Sequence, residues 1–229
     1  MTPGASRMTP TARRMTPTPA RAVRRVLVED HLGASTFVEK GWNLIAIGNF
    51  AGAEVMLSRG LELAPSDIRG RALLGWARMR QGMYDDAQRL LSELLAENSL
   101  NAMARVNLGY VWMRQGEITR AAELLEHSSR QTRDPKAALY ANFYLGLLFA
   151  AEEDFSGAEH FFRKCIVLAP NFVEGYYELG RAQLFAGRPE EARATWSAGH
   201  EANRFNIWGK RCAEAIRLAY HGERAPTYS

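Results

Sequence analysis

The chain predicts an all-α solenoid of about five helix–turn–helix units closed by a C-terminal helix, and three observations carry this prediction. The tetrapeptide Met79-Arg80-Gln81-Gly82 returns as Met113-Arg114-Gln115-Gly116, 34 residues later, and Leu74-Gly75 and Ala87 return at the same offset as Leu108-Gly109 and Ala121. The Gly slot extends to Gly41, Gly146 and Gly180, and each Gly is followed 12 residues on by Ala53, Ala87, Ala121, Ala158 or Ala192. Gly48, Gly82, Gly116 and Gly187 fall just past the first helix of their units, where glycine ends a helix cheaply. Asp85-Asp86 and Pro189-Glu190-Glu191 open second helices, as the positive helix end favours. A sequence that repeats itself at this period is an array whose units bury their apolar faces only against each other.

In chain order, residues 1–19 form a heptad-like run (Met-Thr-Pro at 1, 8 and 15) of Thr, Pro and Arg. Such a composition lacks the apolar surface to order itself, so a disordered tail is expected. Residues 20–33 carry a partial apolar stripe, Val23, Val26, Leu27 and Leu32, and predict a short helix. Five units then span 34–67, 68–101, 102–138, 139–172 and 173–203, as helix pairs near 35–47 and 50–63, 68–81 and 84–97, 102–115 and 118–131, 137–151 and 155–168, 173–186 and 189–202. Between Gly109 and Gly146 the offset grows to 37 residues, and Asp134-Pro135-Lys136 mark the insertion, which is expected in a loop. Residues 204–221 supply a last helix that covers the open core, as solenoids require, and 222–229 are expected to fray.

The pattern resembles the tetratricopeptide repeat family. The unit reads Leu145-Gly146, Phe149, Ala158, Phe162, Pro170, and one repeat earlier Leu108-Gly109, Trp112, Gly116, Ala121, Leu125. Lys40 departs from the Leu slot, Arg78 and Gln183 from the aromatic slot, and Ser99 and Arg204 from the Pro slot. The resemblance covers roughly 34–206 and implies a right-handed α-solenoid whose concave groove binds protein segments.

The formal charge is +4, yet six arginines (7, 13, 14, 21, 24, 25) precede the first acid, so the remainder is near −2. A basic footprint over the solenoid is therefore absent, and nucleic acid is not an expected partner. The Arg-rich start could touch an anionic membrane surface peripherally. No run approaches the roughly 18 apolar residues needed to span a bilayer, the start lacks a secretory h-region, and a cytoplasmic setting is expected. Cys165 and Cys212 form no CxxC pair and are expected as buried, reduced thiols. The five histidines show no metal-ligand spacing, and neither HExxH, GxSxG nor a P-loop occurs, so no metal, cofactor or enzymatic activity is expected.

A second face of each first helix does carry information. One residue past the Gly slot stand Trp42, Trp76, Tyr110, Leu147 and Arg181; three before it, Val38, Ala72, Val106, Phe143 and Tyr177; four after it, Ile45, Met79, Met113, Ala150 and Leu184. Val106, Tyr110 and Met113 illustrate the i, i+4, i+7 spacing of one helical face. In the resembled family these slots line the groove, so the expected site is Val38, Trp42, Ile45, Trp76, Met79, Val106, Asn107, Tyr110, Met113, Phe143, Leu147, Tyr177 and Arg181. It is aromatic and Met-rich, which suits an apolar or amphipathic peptide segment. The implied role is that of a scaffold, adaptor or chaperone-like holder. The alternative is a structural subunit of a homo-oligomeric or membrane-associated assembly. Family members that clamp a chain-terminal carboxylate use Lys, Asn and Arg on these helices. The matching slots hold Val38, Trp42, Leu73, Met103 and Asn107, so the resemblance implies that this clamp is disfavoured.

Overall fold

Each repeat turns on the same backbone device. In the computed structural model, which describes residues 33–131 and 133–220, the first helix of every unit ends in one left-handed residue: Gly48, Gly82, Gly116, Glu153 or Gly187, at φ 78°, 80°, 84°, 60° and 78°. The amide one residue later then donates back to a carbonyl five residues upstream. The five bonds are Asn49 to Leu44, Met83 to Arg78, Glu117 to Trp112, Asp154 to Phe149 and Arg188 to Gln183, at 2.8–3.0 Å. This closes the last turn of the first helix and reverses the chain within three residues.

Five antiparallel pairs result, which we number in chain order. They are α1 (Ala34–Ala46) with α2 (Phe50–Leu63), α3 (Ile68–Arg80) with α4 (Tyr84–Glu97), and α5 (Ala102–Arg114) with α6 (Ile118–Gln131). Then come α7 (Pro135–Ala151) with α8 (Phe155–Leu168), and α9 (Val173–Phe185) with α10 (Pro189–Ala202), followed by the single helix α11 (Ile207–Tyr220). The tail expected over 1–19, most of the helix expected over 20–33 and the end expected over 222–229 lie outside the described residues.

Within a pair the Gly slot receives the large residue 16 positions on. A Cβ added to Gly41, Gly75, Gly109, Gly146 or Gly180 would come within 2.3–2.8 Å of Leu57, Leu91, Leu125, Phe162 or Trp196. The missing side chain is therefore what lets the two helices of a unit close, and the five slot alanines opposite are fully buried. Trp196 fits beneath Gly180 edge-on because its indole N–H donates to the Tyr177 carbonyl at 2.9 Å, satisfying a polar group that would otherwise be stranded in the core.

Adjacent first helices touch one another along the whole stack, α1 with α3, α3 with α5, α5 with α7, α7 with α9 and α9 with α11. Successive second helices do not, among the described residues. The first helices thus line the inner, concave side and the second helices splay on the outside.

One expectation needs correction. The extra residues do not form a loop. Pro135 and Lys136 are the first two residues of α7, which is 17 residues long against 13 for the other first helices. Asp134 caps this added turn, accepting from the amides of Lys136 (2.9 Å) and Ala137 (3.2 Å), and Pro135 occupies the position where a missing N–H does no harm.

Candidate recognition groove

The inner face is built from rings. Trp42 and Trp76 lie 6.1 Å apart between centroids, Trp76 and Tyr140 6.5 Å, Tyr140 and Tyr144 5.9 Å, and Tyr144 and Tyr110 4.5 Å. The 34-residue steps of Trp42, Trp76 and Tyr110 imply by themselves a row of these three rings. Ring contact instead passes from Trp76 to Tyr110 by way of Tyr140 and Tyr144 on α7. The added turn of α7 explains this. Lys136, Tyr140 and Tyr144 are spaced i, i+4, i+8 on one face of that helix; Tyr144 meets Tyr110 of α5, while Tyr140 and Lys136 reach past α5 to the rings of α3 and α1.

The expected site residues divide by depth. Trp42, Trp76, Tyr110, Met113 and Leu147 are half-buried and remain open to the groove. Val38, Ile45, Met79, Val106 and Phe143 are buried between the helices and form the floor rather than the surface. Met79 in particular is enclosed among Leu91, Leu108 and Val111, so the accessible groove is aromatic but poor in methionine. Asn107 is buried, with its Oδ1 unpaired among the described residues. At the C-terminal end Tyr177 is buried with its ring 5.4 Å from Trp208 of α11. Arg181 is buried beside it and paired with Glu178 at 2.9 Å.

Three groove residues were missed in the sequence. Lys136 sets its ammonium 4.6 Å from the Trp42 ring centroid and 5.1 Å from that of Trp76. Burial holds this amine below its ordinary range, against the opposing pull of Asp134. Tyr140 bridges the two halves of the ring row. Glu174, on the first turn of α9, is pushed up to about 7, chiefly by burial and also by Glu178, with Arg80 and Arg211 acting the other way. Burial likewise raises the Tyr110 and Tyr140 phenols and takes that of Tyr144 well above its usual range. The one signal for Lys136 and Tyr140 was the 37-residue interval itself, which lengthens a helix instead of a loop.

Tetratricopeptide repeat family models match residues 72–138 and 161–194. The chain is a tetratricopeptide repeat protein. Proteins of this family generally mediate protein–protein interaction. A relative, Hsp70-Hsp90 organizing protein 2 of Arabidopsis thaliana, is 31% identical over 105 residues; the match takes in 44% of this chain and only 18% of that protein's length. Among solved structures, a thermophilic repeat protein of Thermus thermophilus superposes with a TM-score of 0.72 at 21% identity, over 81% of this chain and 100% of that one. Pseudomonas aeruginosa PilF superposes with a TM-score of 0.61 at 22% identity, over 82% and 87%. These two likenesses establish the right-handed repeat solenoid and nothing about partners. Among the described residues no helix of this tetratricopeptide repeat protein is long and apolar enough to cross a membrane.

Proposed function

We propose that the chain holds an apolar or amphipathic segment of a partner protein against its inner face, acting as a scaffold or adaptor in the cytoplasm. The connected ring row carries this reading. Trp42, Trp76, Tyr110 and Tyr140 are in contact through one another or through Tyr144, and each still presents part of its ring to solvent. Rigid aromatic surface in a concave site is the usual carrier of binding energy, often about 2 kcal/mol or more per anchor.

The name of the Arabidopsis relative ties that protein to Hsp70 and Hsp90. Gripping a terminal carboxylate is not part of the reading for this chain. The slots that would form such a clamp carry Val38, Trp42, Leu73 and Met103, and the remaining Asn107 is buried.

Trp76→Ala tests the groove. Trp76 packs against two core clusters as well as facing the inner side, so the variant will also lose stability, by about 2–4 kcal/mol. The control is Phe161→Ala on the outer helix α8, where the ring rests 5.2 Å from Phe149. Partner proteins retained by the immobilised chain, identified by mass spectrometry, should be lost with Trp76→Ala and kept with Phe161→Ala when urea unfolding shows both folded. Equal retention by the two variants would move binding off the inner face. A solution mass that doubles with concentration and is reversed by Trp76→Ala would favour the assembly-subunit reading instead.

A further inference from the structure

The seat that holds Lys136 is built for a cation and is filled by the chain itself. Its walls are Trp42 on α1 and Trp76 on α3, and Tyr140 of α7 packs against Trp76. The ammonium lies 4.6 and 5.1 Å from the two indole centroids, close enough for strong attraction to the negative ring faces. No carboxylate stands within ion-pair distance of it among the described residues, so the rings are its partners. Two features make this occupant replaceable. Lys136 is exposed as a residue even with its ammonium over the rings. It also sits at the second position of α7, where the positive helix end repels a cation. Nothing in the backbone of α7 depends on where the ammonium goes, because Asp134 alone caps the turn.

We propose that this ring seat is a recognition site for a cationic side chain of the partner segment, a lysine or arginine, and that Lys136 is an internal stand-in which the partner's cation displaces. The inference rests on the inner face being the recognition surface and adds the chemistry that surface selects. Ring faces repel a carboxylate and gain little from a neutral polar group. An apolar group could cover the rings but would forgo the electrostatic attraction that draws Lys136 there.

The test is a titration of the full chain with a short amphipathic peptide carrying one lysine and with its Lys-to-Gln twin, followed by calorimetry. In Lys136→Ala the seat stands empty, and the lysine peptide should bind about three- to tenfold tighter than to the parent chain. The gain should vanish when Trp42→Leu is added, and the glutamine twin should show no gain in any background. A gain that survives Trp42→Leu would mean that removing a charge, not opening a seat, improved binding, and would overturn the proposal. Twin and lysine peptide binding equally well to every variant would overturn the seat while leaving the groove reading intact; neither binding at all would overturn both. Should Trp42→Leu unfold the first repeat, the side-chain protons of Lys136 decide. They should be shifted upfield by the rings in the free chain and return to ordinary values on adding the lysine peptide. Unshifted protons in the free chain would sink the idea.

Discussion

Glu174 is the described carboxylate whose chemistry the fold alters most. As the second residue of α9 it stands where a negative charge is locally welcome, yet burial against the tyrosines lifts its titration from the ordinary 4.5 to about 7. The folded chain therefore prefers the protonated acid relative to the unfolded chain. The associated stability is fully present below the ordinary carboxylate range and is lost as pH rises through about 7. Glu174→Gln should accordingly be more stable than the parent chain at about pH 8.5, by at most about 3 kcal/mol, and the advantage should shrink towards zero near pH 4.5. Urea unfolding of both proteins across that interval checks this. A constant difference would mean that Arg80 and Arg211 neutralise the carboxylate more fully than its burial opposes ionisation.

At the scale of the element, the turn and the added helical turn matter most. At Gly48, Gly82, Gly116 and Gly187 an added Cβ would meet nothing within 4 Å, so space does not select glycine there. The left-handed backbone does, because only glycine adopts it without strain. Repeat four makes the same turn with Glu153 at φ 60°. Glu153→Gly should relieve this and stabilise the protein by about 1 kcal/mol, read as a rise in the urea midpoint. No change would show that the Asp154 cap, whose side chain accepts from the Gly157 amide at 2.9 Å, already holds the turn in place. The added turn of α7 works in the opposite sense. It leaves the repeat geometry alone and changes what the groove contains, because each further turn on a first helix brings one more i, i+4 side chain over the inner face.

For the whole molecule, stability is close to a sum over neighbouring units, and the last unit needs a cover. α11 supplies it. Cys212 and Ala215 are buried in one cluster with Val173, Tyr177, Ala192 and Trp196, and Trp208 packs against its edge. Both cysteines are free and buried, and burial pushes each thiol up to about 12, so they serve as small apolar residues. A chain ending at Asn203 should lose roughly 3 kcal/mol or more, by exposing several large side chains at about 1.5–3 kcal/mol each. It should also associate at concentrations where the full chain does not. Urea unfolding with light scattering checks both, and an unchanged midpoint would remove α11 as the cover of the solenoid.

Much was legible in the sequence, and for one physical reason. The contacts that make a repeat are local, at offsets of 12 and 16 residues from the Gly slot, and they are repeated five times. Gly146 against Phe162, or Gly180 against Trp196, could therefore be read as spacing and residue size without a structure. The helix pairing followed from the same periodicity, and the inner face from the resemblance to the tetratricopeptide repeat family. The depth of a residue on that face could not, because it depends on how far each unit rotates against the next. That rotation buries Val106 and Met79 while leaving Tyr110 and Met113 half-open. Nor could the meeting of Lys136 with Trp42, which are 94 positions apart in the chain and come together only because the solenoid curves. The repeat, its turns and its core can be read from residue spacing, since these rest on neighbours a fixed distance along the chain. Which rings touch, which carboxylate loses its water and which lysine occupies the groove emerge with the folded superhelix, since these rest on its turn summed over several units.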